Sequence, residues 1–295
     1  MLTVNGSYSD ENGNTIEAPS ALHNVQVEFK GKNNKLIITP NSKINNSKIF
    51  FPSDNGVCLV GDCWYKGALR IGYDCLIILG ARVSCTNPSP IFTAERSFAI
   101  IGDDAMIGSS TNIRGEDSHA IYDVESGDRS NPSRNIILGA HVWVADHVTI
   151  LSNTTIGAGS VVGTRSLIKG KFPNNSLIVG LPAKAVKKNI AWERPHVVFN
   201  EPTIKSNAIQ QNLILNKNYW HKTDSNNNKV AIGRSAFYLL NKYQALYPQF
   251  EFPNILEEVE YTPDPTPSLE KSSFAKELKK TIKKLLKGKL GRVIN

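Results

Sequence analysis

Six residues separate Leu138 from Val144, and the same step returns Ile150, Ile156, Val162 and Ile168. One place after each stand Gly139, Ala145, Leu151, Gly157, Gly163 and Lys169. Four places after the first five stand Val142, Val148, Thr154, Ser160 and Ser166. A fixed hexapeptide period marks a parallel β-helix, in which each unit makes one short strand and one turn. Three units close a triangular coil. The branched aliphatic points inward and stacks on its equivalent in the next coil, and the small residue four places on fits the corner. Glycine or alanine after the aliphatic is expected to ease the bend. An α-helix would need apolar spacings of three and four. A β-sandwich with turns six apart would have no reason to fill the aliphatic place every time. The fold class read from this stretch is an all-β solenoid.

The step also appears upstream, in Ile71, Ile77 and Val83 and in Ile101, Ile107 and Ile113, with Ala105 and Thr111 at corners. Val25, Val27 and Phe29, a turn at Gly31–Asn34, then Leu36, Ile37 and Ile38 predict an irregular first coil, since the end repeats of solenoids are atypical. Residues 1–24 read as a loose lead-in, and Asn87-Pro88-Ser89-Pro90 as a loop. Residues 114–136 are polar, rich in turn formers and set between two blocks of repeat, so they are expected to leave the prism and return. The solenoid is assigned to 25–190. Residues 191–270 read as a mostly α-helical extension, with Ala236, Leu239, Leu240, Tyr243 and Leu246 on one helix face and a proline-rich acidic linker over 251–268. Residues 271–295 read as an amphipathic basic helix, with Phe274, Leu278, Ile282, Leu285 and Leu286 on its apolar side.

The net charge of +8 belongs to that last segment, which holds nine Lys or Arg and one Glu. Removing them from 34 basic and 26 acidic residues leaves 25 of each. A balanced body argues against a nucleic-acid-binding protein. No window approaches the ~20 apolar residues of a membrane span, and the first residues carry no apolar signal-peptide core. The expected location is therefore the cytoplasm. Cys58, Cys63, Cys75 and Cys85 fit no zinc spacing and read as small buried hydrophobes in a reducing compartment.

A filled β-helix has no interior pocket. Chemistry must sit on its outer wall, in the protruding loop or between chains. His119, in Asp117-Ser118-His119, puts a general-base side chain in that loop. Trp143 falls where its side chain should point outward, and a large apolar group on a polar wall calls for another subunit, a ligand or a packed loop.

The hexapeptide repeat, the Asp-Ser-His loop, the run Leu138-Gly-Ala-His-Val-Trp143, the coil Ile156-Gly-Ala-Gly-Ser-Val-Val162 and the closing Gly180-Leu-Pro-Ala-Lys184 resemble the hexapeptide-repeat acyltransferases. Those are left-handed β-helix enzymes that use acetyl-CoA. The turn at Gly31–Asn34, the loop His119-Ala-Ile-Tyr-Asp123 and the long extension resemble bacterial polysialic acid and capsular polysaccharide O-acetyltransferases within that family. The resemblance implies His119 as general base, Trp143 beside the reacting thioester and Asp117 as one candidate to orient the imidazole, with Glu116, Asp123 or a backbone carbonyl as others. It implies a pantetheine groove along Ala145, Gly163 and Thr164, and Lys169, Lys184 and Lys187 at the CoA phosphates. It implies direct transfer to a sugar hydroxyl, a homotrimer with sites between chains, and no metal. Asp146 departs from the small residue that the family often carries beside the CoA arm.

Other readings share this scaffold. A lipopolysaccharide sugar or a nucleotide-linked amino sugar could be the acceptor. A γ-type carbonic anhydrase would need His119, His141 and His147 to converge on a metal, yet His141 and His147 occupy the same hexad place on successive faces. A non-catalytic trimeric scaffold is the remaining class. The basic tail could rest on anionic inner-membrane lipid, or hold a polyanionic polysaccharide or a capsule-assembly protein.

Overall fold

Parallel strands stack in three columns around a filled interior in the computed structural model, which describes residues 2–3, 6–19, 22–85, 87–196, 217–246 and 258–261. The first face stacks Thr15–Glu17, Lys35–Ile38, Val57–Val60, Leu76–Leu79, Phe98–Ile101 and Ile136–Leu138, then the ends of Thr149–Ile156 and Leu167–Phe172. The second face runs from the start of Lys43–Phe51 through Trp64–Tyr65, Ser84–Cys85, Met106–Ile107, Trp143–Val144 and Val161–Val162 to Leu177–Gly180. The third joins His23–Phe29, the end of Lys43–Phe51, Ala68–Ile71, Ile91–Thr93, Asn112–Arg114 and the starts of Thr149–Ile156 and Leu167–Phe172.

The hexad aliphatics form the interior. Leu138, Val144, Ile150, Ile156, Val162 and Ile168 are each 0% exposed, and full burial of one such side chain stabilises by roughly 1.5–3 kcal/mol. Leu138 stands opposite Ile156 and Val144 opposite Val162, one hexad-built coil apart. Upstream coils are longer, with Leu79 opposite Ile101. All four cysteines are buried and unpaired, as expected of small core residues.

Three features differ from the sequence reading. Residues 15–17 are no loose lead-in: Thr15–Glu17 is the first rung of the first face, Ile16 is buried, and Asn14 Oδ1 accepts from the Asn34 backbone and side chain. The glycines after the aliphatics do not serve the bend. The left-handed corner lies two places later, at Arg82, Asp104, His141, Gly159 and Asn175, where Asn, Asp and Gly are favoured. Gly139 and Gly157 are needed for rung-to-rung contact, because a Cβ on Gly139 would lie 2.5 Å from Ala158 N and one on Gly157 2.3 Å from Asn174 N. Finally, the first face is buried on both sides.

That double burial explains the unbroken apolar runs Val57–Val60, Leu76–Leu79 and Phe98–Ile101, since a sheet covered on both faces loses its alternation. The cover is the extension. The helix Arg234–Leu246 and the short parallel pair Val230–Ala231 and Val259–Glu260 lay Val230, Ile232, Ala236, Leu239, Leu240, Tyr243 and Val259 on Leu59, Leu76, Ile78, Phe98, Ile100 and Ile137. The helical reading of residues 232–248 thus holds over the described part. Helical spacing over 200–222 is not borne out where it can be followed: residues 217–222 hold one 3₁₀ turn, Lys217–Tyr219, and no α-helix, so among the described residues the extension is not mostly α-helical. Residues 271–295 and most of the 251–268 linker lie outside the described residues.

Asp103 ties the helix to the solenoid. Its Oδ2 accepts from Ser235 N at 2.7 Å, and its Oδ1 accepts from Ala236 N and from Ala81 N, each at 2.9 Å. Gly233, at φ +85°, brings the chain so close that a Cβ would lie 2.5 Å from the Asp103 Cβ. Asp103→Ala should therefore lower stability in urea unfolding by about 1–3 kcal/mol for each donor left unpaired. Burial pushes this carboxyl up to about 6, against the pull of the three donors. A raised carboxyl favours the folded state while protonated. That contribution is complete below about pH 4 and is lost as pH rises through 6. Wild type should thus lose stability relative to Asp103→Asn between pH 4 and pH 7, and a pH-independent difference would contradict this.

Candidate active site

The loop between Asn112–Arg114 and Ile136–Leu138 leaves the edge where the third face meets the first. Its neck closes through Gly115 N to Phe92 O and Arg134 N to Gly115 O. Glu116 is 5% exposed. Its Oε1 accepts from Arg70 Nη2 and Arg114 Nη2, and its Oε2 from Ser118 N. On the far side Glu95 grips Arg129 and Ser133. The Arg129 hydrogen bond is the main reason the Glu95 carboxyl sits low, at about 2.

Between these anchors His119 is exposed. Its N–H donates to Asp117 O and its carbonyl accepts from Asn131 Nδ2, while its imidazole makes no hydrogen bond to another described residue. None of the three candidate carboxylates orients it. Asp117 Oδ2 accepts from Asn131 Nδ2 at 3.1 Å, Glu116 is committed to the two arginines, and Asp123 accepts from Glu125 N and Ser126 N. The fixed backbone aims the ring outward and leaves both nitrogens available.

Trp143 lies elsewhere, on the second face, on successive rungs with Met106, Val161, Leu177 and Lys187. Ala145, Gly163 and Thr164 follow at the corner leading to the third face. Gly163 N donates to Ile178 O, and Thr164 Oγ1 donates to Asp146 O. Asp146 turns its carboxylate back to accept from Ser109 N at 2.7 Å. Ala183–Lys187 folds back antiparallel on Leu177–Gly180 and sets Lys184 and Lys187 on this same face. Lys169 sits instead at the loop's edge, between the third-face and first-face pairs of Leu167–Phe172.

The expected residues therefore fall into two groups. Trp143, Ala145, Gly163, Thr164, Lys184 and Lys187 share one wall, and His119, Asp117 and Lys169 share the opposite edge. In a three-sided prism the second face lies across the body from the edge joining the other two. His141 and His147 take left-handed corners at opposite ends of the second face, so within one chain they do not converge with His119 on a metal.

No protein-family model matches the chain. A polysialic acid O-acetyltransferase of Neisseria meningitidis is 32% identical over 206 residues, covering 67% of this chain and 95% of the relative. One from Escherichia coli O1:K1 is 32% identical over 118 residues, which is 40% of this chain and 38% of the relative. The crystal structure of the polySia-specific acetyltransferase NeuO superposes at TM-score 0.61 with 29% identity, over 70% of this chain and 92% of that one. The chain belongs to the hexapeptide-repeat acyltransferases. It is one of their O-acetyltransferases, and its solenoid is the family's left-handed β-helix.

One group of residues in this acyltransferase was missed by sequence reasoning. His141, considered only as a metal ligand, is 2% exposed. Its Nδ1 meets Asp104 Oδ2 at 2.6 Å and its Nε2 meets Trp192 O at 3.1 Å, so both ring nitrogens are engaged. Trp192 stacks on one side at 4.1 Å and Tyr219 on the other at 4.5 Å. Arg194 donates through Nε to Asp104 Oδ1 at 2.7 Å and through Nη2 to Asp104 O and Ala105 O. Trp192 also leans on Trp143, ring centroids 5.8 Å apart. The packed segment that an exposed tryptophan called for is thus the start of the extension. The available signal was the acid pair Asp103-Asp104 at a corner, where an ordinary repeat needs no charge.

Burial alone would raise Asp104, but the His141 hydrogen bond and the charges of Arg194, His141 and Arg82 outweigh it and hold the carboxyl below its ordinary value. Its stabilising contribution is present above pH 4 and is lost as pH falls through the depressed value. Asp104→Ala should cost about 3–5 kcal/mol in chemical denaturation at pH 7, because it takes the carboxylate from the buried His141 and the half-buried Arg194. Tryptophan emission should shift to the red as Trp192 loosens. A variant with unchanged emission and midpoint would refute the network's role.

Proposed function

We propose that this O-acetyltransferase moves the acetyl group of acetyl-CoA onto a hydroxyl of a bacterial surface polysaccharide, a capsular, sialic acid-containing polymer, by direct transfer. The acceptor class follows the names of the two relatives. The observation that carries the mechanism is His119, an exposed imidazole with no partner among the described residues on a loop anchored at both ends. His119 takes the proton of the sugar hydroxyl as its oxygen attacks the thioester carbonyl. A main-chain N–H or polar side chain holds the oxyanion. Collapse breaks the C–S bond, and the imidazolium returns the proton to the departing thiolate.

The donor lies along the second face. Trp143 flanks the thioester, Ala145, Gly163 and Thr164 line the arm, and Lys184 and Lys187 meet the phosphates. Three rungs separate Trp143 from Lys187, about 14 Å at ~4.8 Å per rung, a span suited to an extended arm between a buried end and a charged end. Lys169 joins this donor site only from another copy.

His119 and Trp143 lie across the prism from each other, so one site can hold both only when two chains contribute. The exposed loop residues Ile121, Tyr122 and Val124, the last 98% exposed, supply apolar surface for that contact. Closed symmetry then favours a homotrimer with three shared sites. We place the reaction in the cytoplasm, where acetyl-CoA is made; among the described residues no helix is long and apolar enough to cross a membrane. The basic tail lies outside the described residues, and we assign it no role.

His119→Ala should lower kcat by about 10²–10⁴ while CoA binding persists in titration calorimetry. Mixing His119→Ala chains with Trp143→Ala chains, each impaired alone, should restore transfer at about a quarter of the sites, those pairing an intact imidazole with an intact indole. Failure of every mixture to exceed its parents would place both residues in one chain's site and sink the shared arrangement.

A further inference from the structure

The third face carries an outward stripe that the donor site does not use. Phe50, Arg70, Phe92 and Arg114 stand on consecutive rungs, about 14 Å from first to last. The Arg70 guanidinium lies 4.4 Å from the Phe92 ring centre and that of Arg114 5.8 Å, on the two neighbouring rungs. Lys30 and Lys48 each hold an ammonium 5.5 Å from the Phe50 ring. Both arginines commit Nη2 to Glu116 and leave Nε and Nη1 without a partner among the described residues. Arg114 Nη2 also donates to Ser118 Oγ at 2.8 Å, one residue before His119. The acids nearby are Glu116 and Glu28, the latter 3.2 Å from Lys48. Four cations against two paired acids leave the stripe positive.

We propose that this stripe is the track on which a carboxylate-bearing polysaccharide lies as it enters the site at His119. The inference rests on the acceptor reading above and deepens it. A guanidinium fork matches a carboxylate in two hydrogen bonds, and the interleaved rings give the apolar faces of sugars a surface to rest on. A polymer with one carboxylate per repeat meets a wall that itself repeats rung by rung. The track runs from Lys30 and Lys48 at its far end to Arg114 at the loop, so short acceptors reach only the arginines and long ones reach the lysines.

The test uses the full-length enzyme and two variants remote from the loop, Lys30→Gln/Lys48→Gln and Phe50→Ala. For each, kcat/KM is measured on long polysialic acid and on two- or three-sugar sialic acid oligomers. The expected result is a fall of about tenfold in the long-to-short ratio, the loss of one or two charge-assisted contacts, with a weaker salt dependence on the long polymer. Equal loss on both lengths, no loss on either, or a changed oligomer mass in light scattering, which would make the stripe a subunit contact, overturns the proposal. Wild-type turnover of the polymer tests the acceptor reading separately. His119→Ala enzyme is also titrated with polysialic acid, its carboxyl-reduced form and single-stranded DNA. Binding should require the carboxylates and weaken about tenfold in the lysine variant. Equal binding of the reduced polymer, or tighter binding of DNA, overturns it.

Discussion

The inward stack of hexad aliphatics is the contact on which everything else depends. Each coil buries its branched side chains only against the coils above and below, so no rung is stable by itself and the whole column orders together. The stack also fixes the outer surface. Once Leu138, Val144 and Ile150 point inward, the alternating residues must point out, and Trp143, Arg114 and the corner residues acquire definite positions without further interactions. The outer wall is a by-product of core packing, and that makes it rigid.

On that rigid wall the acyltransferase divides its labour. The loop bearing His119 is held by carboxylates at its neck and flank, Glu116 and Glu95, which leave the imidazole exposed. The Trp143 wall across the prism, where we propose that the donor lies, is backed by the first residues after the solenoid, with Trp192 resting on Trp143 and tied to Asp104 through His141 and Arg194. Each half is finished by ion pairs and stacking that the repeat itself cannot provide.

The repeat was readable because its physics is periodic: aliphatics at Leu138, Val144 and Ile150 announce an inward column whatever surrounds them. The loop was readable because the period stops there. His119 and Trp143 could be singled out by their places, one in the interruption and one facing outward. Their separation across the prism could not, since it depends on which corner the loop leaves. The Trp192–His141–Asp104 network was hidden because it joins residues far apart in the chain, and because Asp and His are among the types that a left-handed corner favours in any case. The roofing of the first face was legible in principle, in the unbroken runs Leu76–Leu79 and Phe98–Ile101, where alternation is lost. The role of the glycines was misjudged because spacing alone cannot tell a bend that needs positive φ from a rung that tolerates no Cβ.

The antiparallel return of Ala183–Lys187 along Leu177–Gly180 has a consequence for how such a wall evolves. It seals the final ladder edge of the second face, so that face cannot be extended by another chain or another coil without displacing the strand that holds Lys184 and Lys187. Distances along the wall are quantised in whole coils. Inserting or deleting one between Trp143 and this terminal clasp would change the interval by a full rung and by nothing smaller. On the proposed donor site, adjustment to a longer or shorter thioester would therefore come from side chains on the existing rungs.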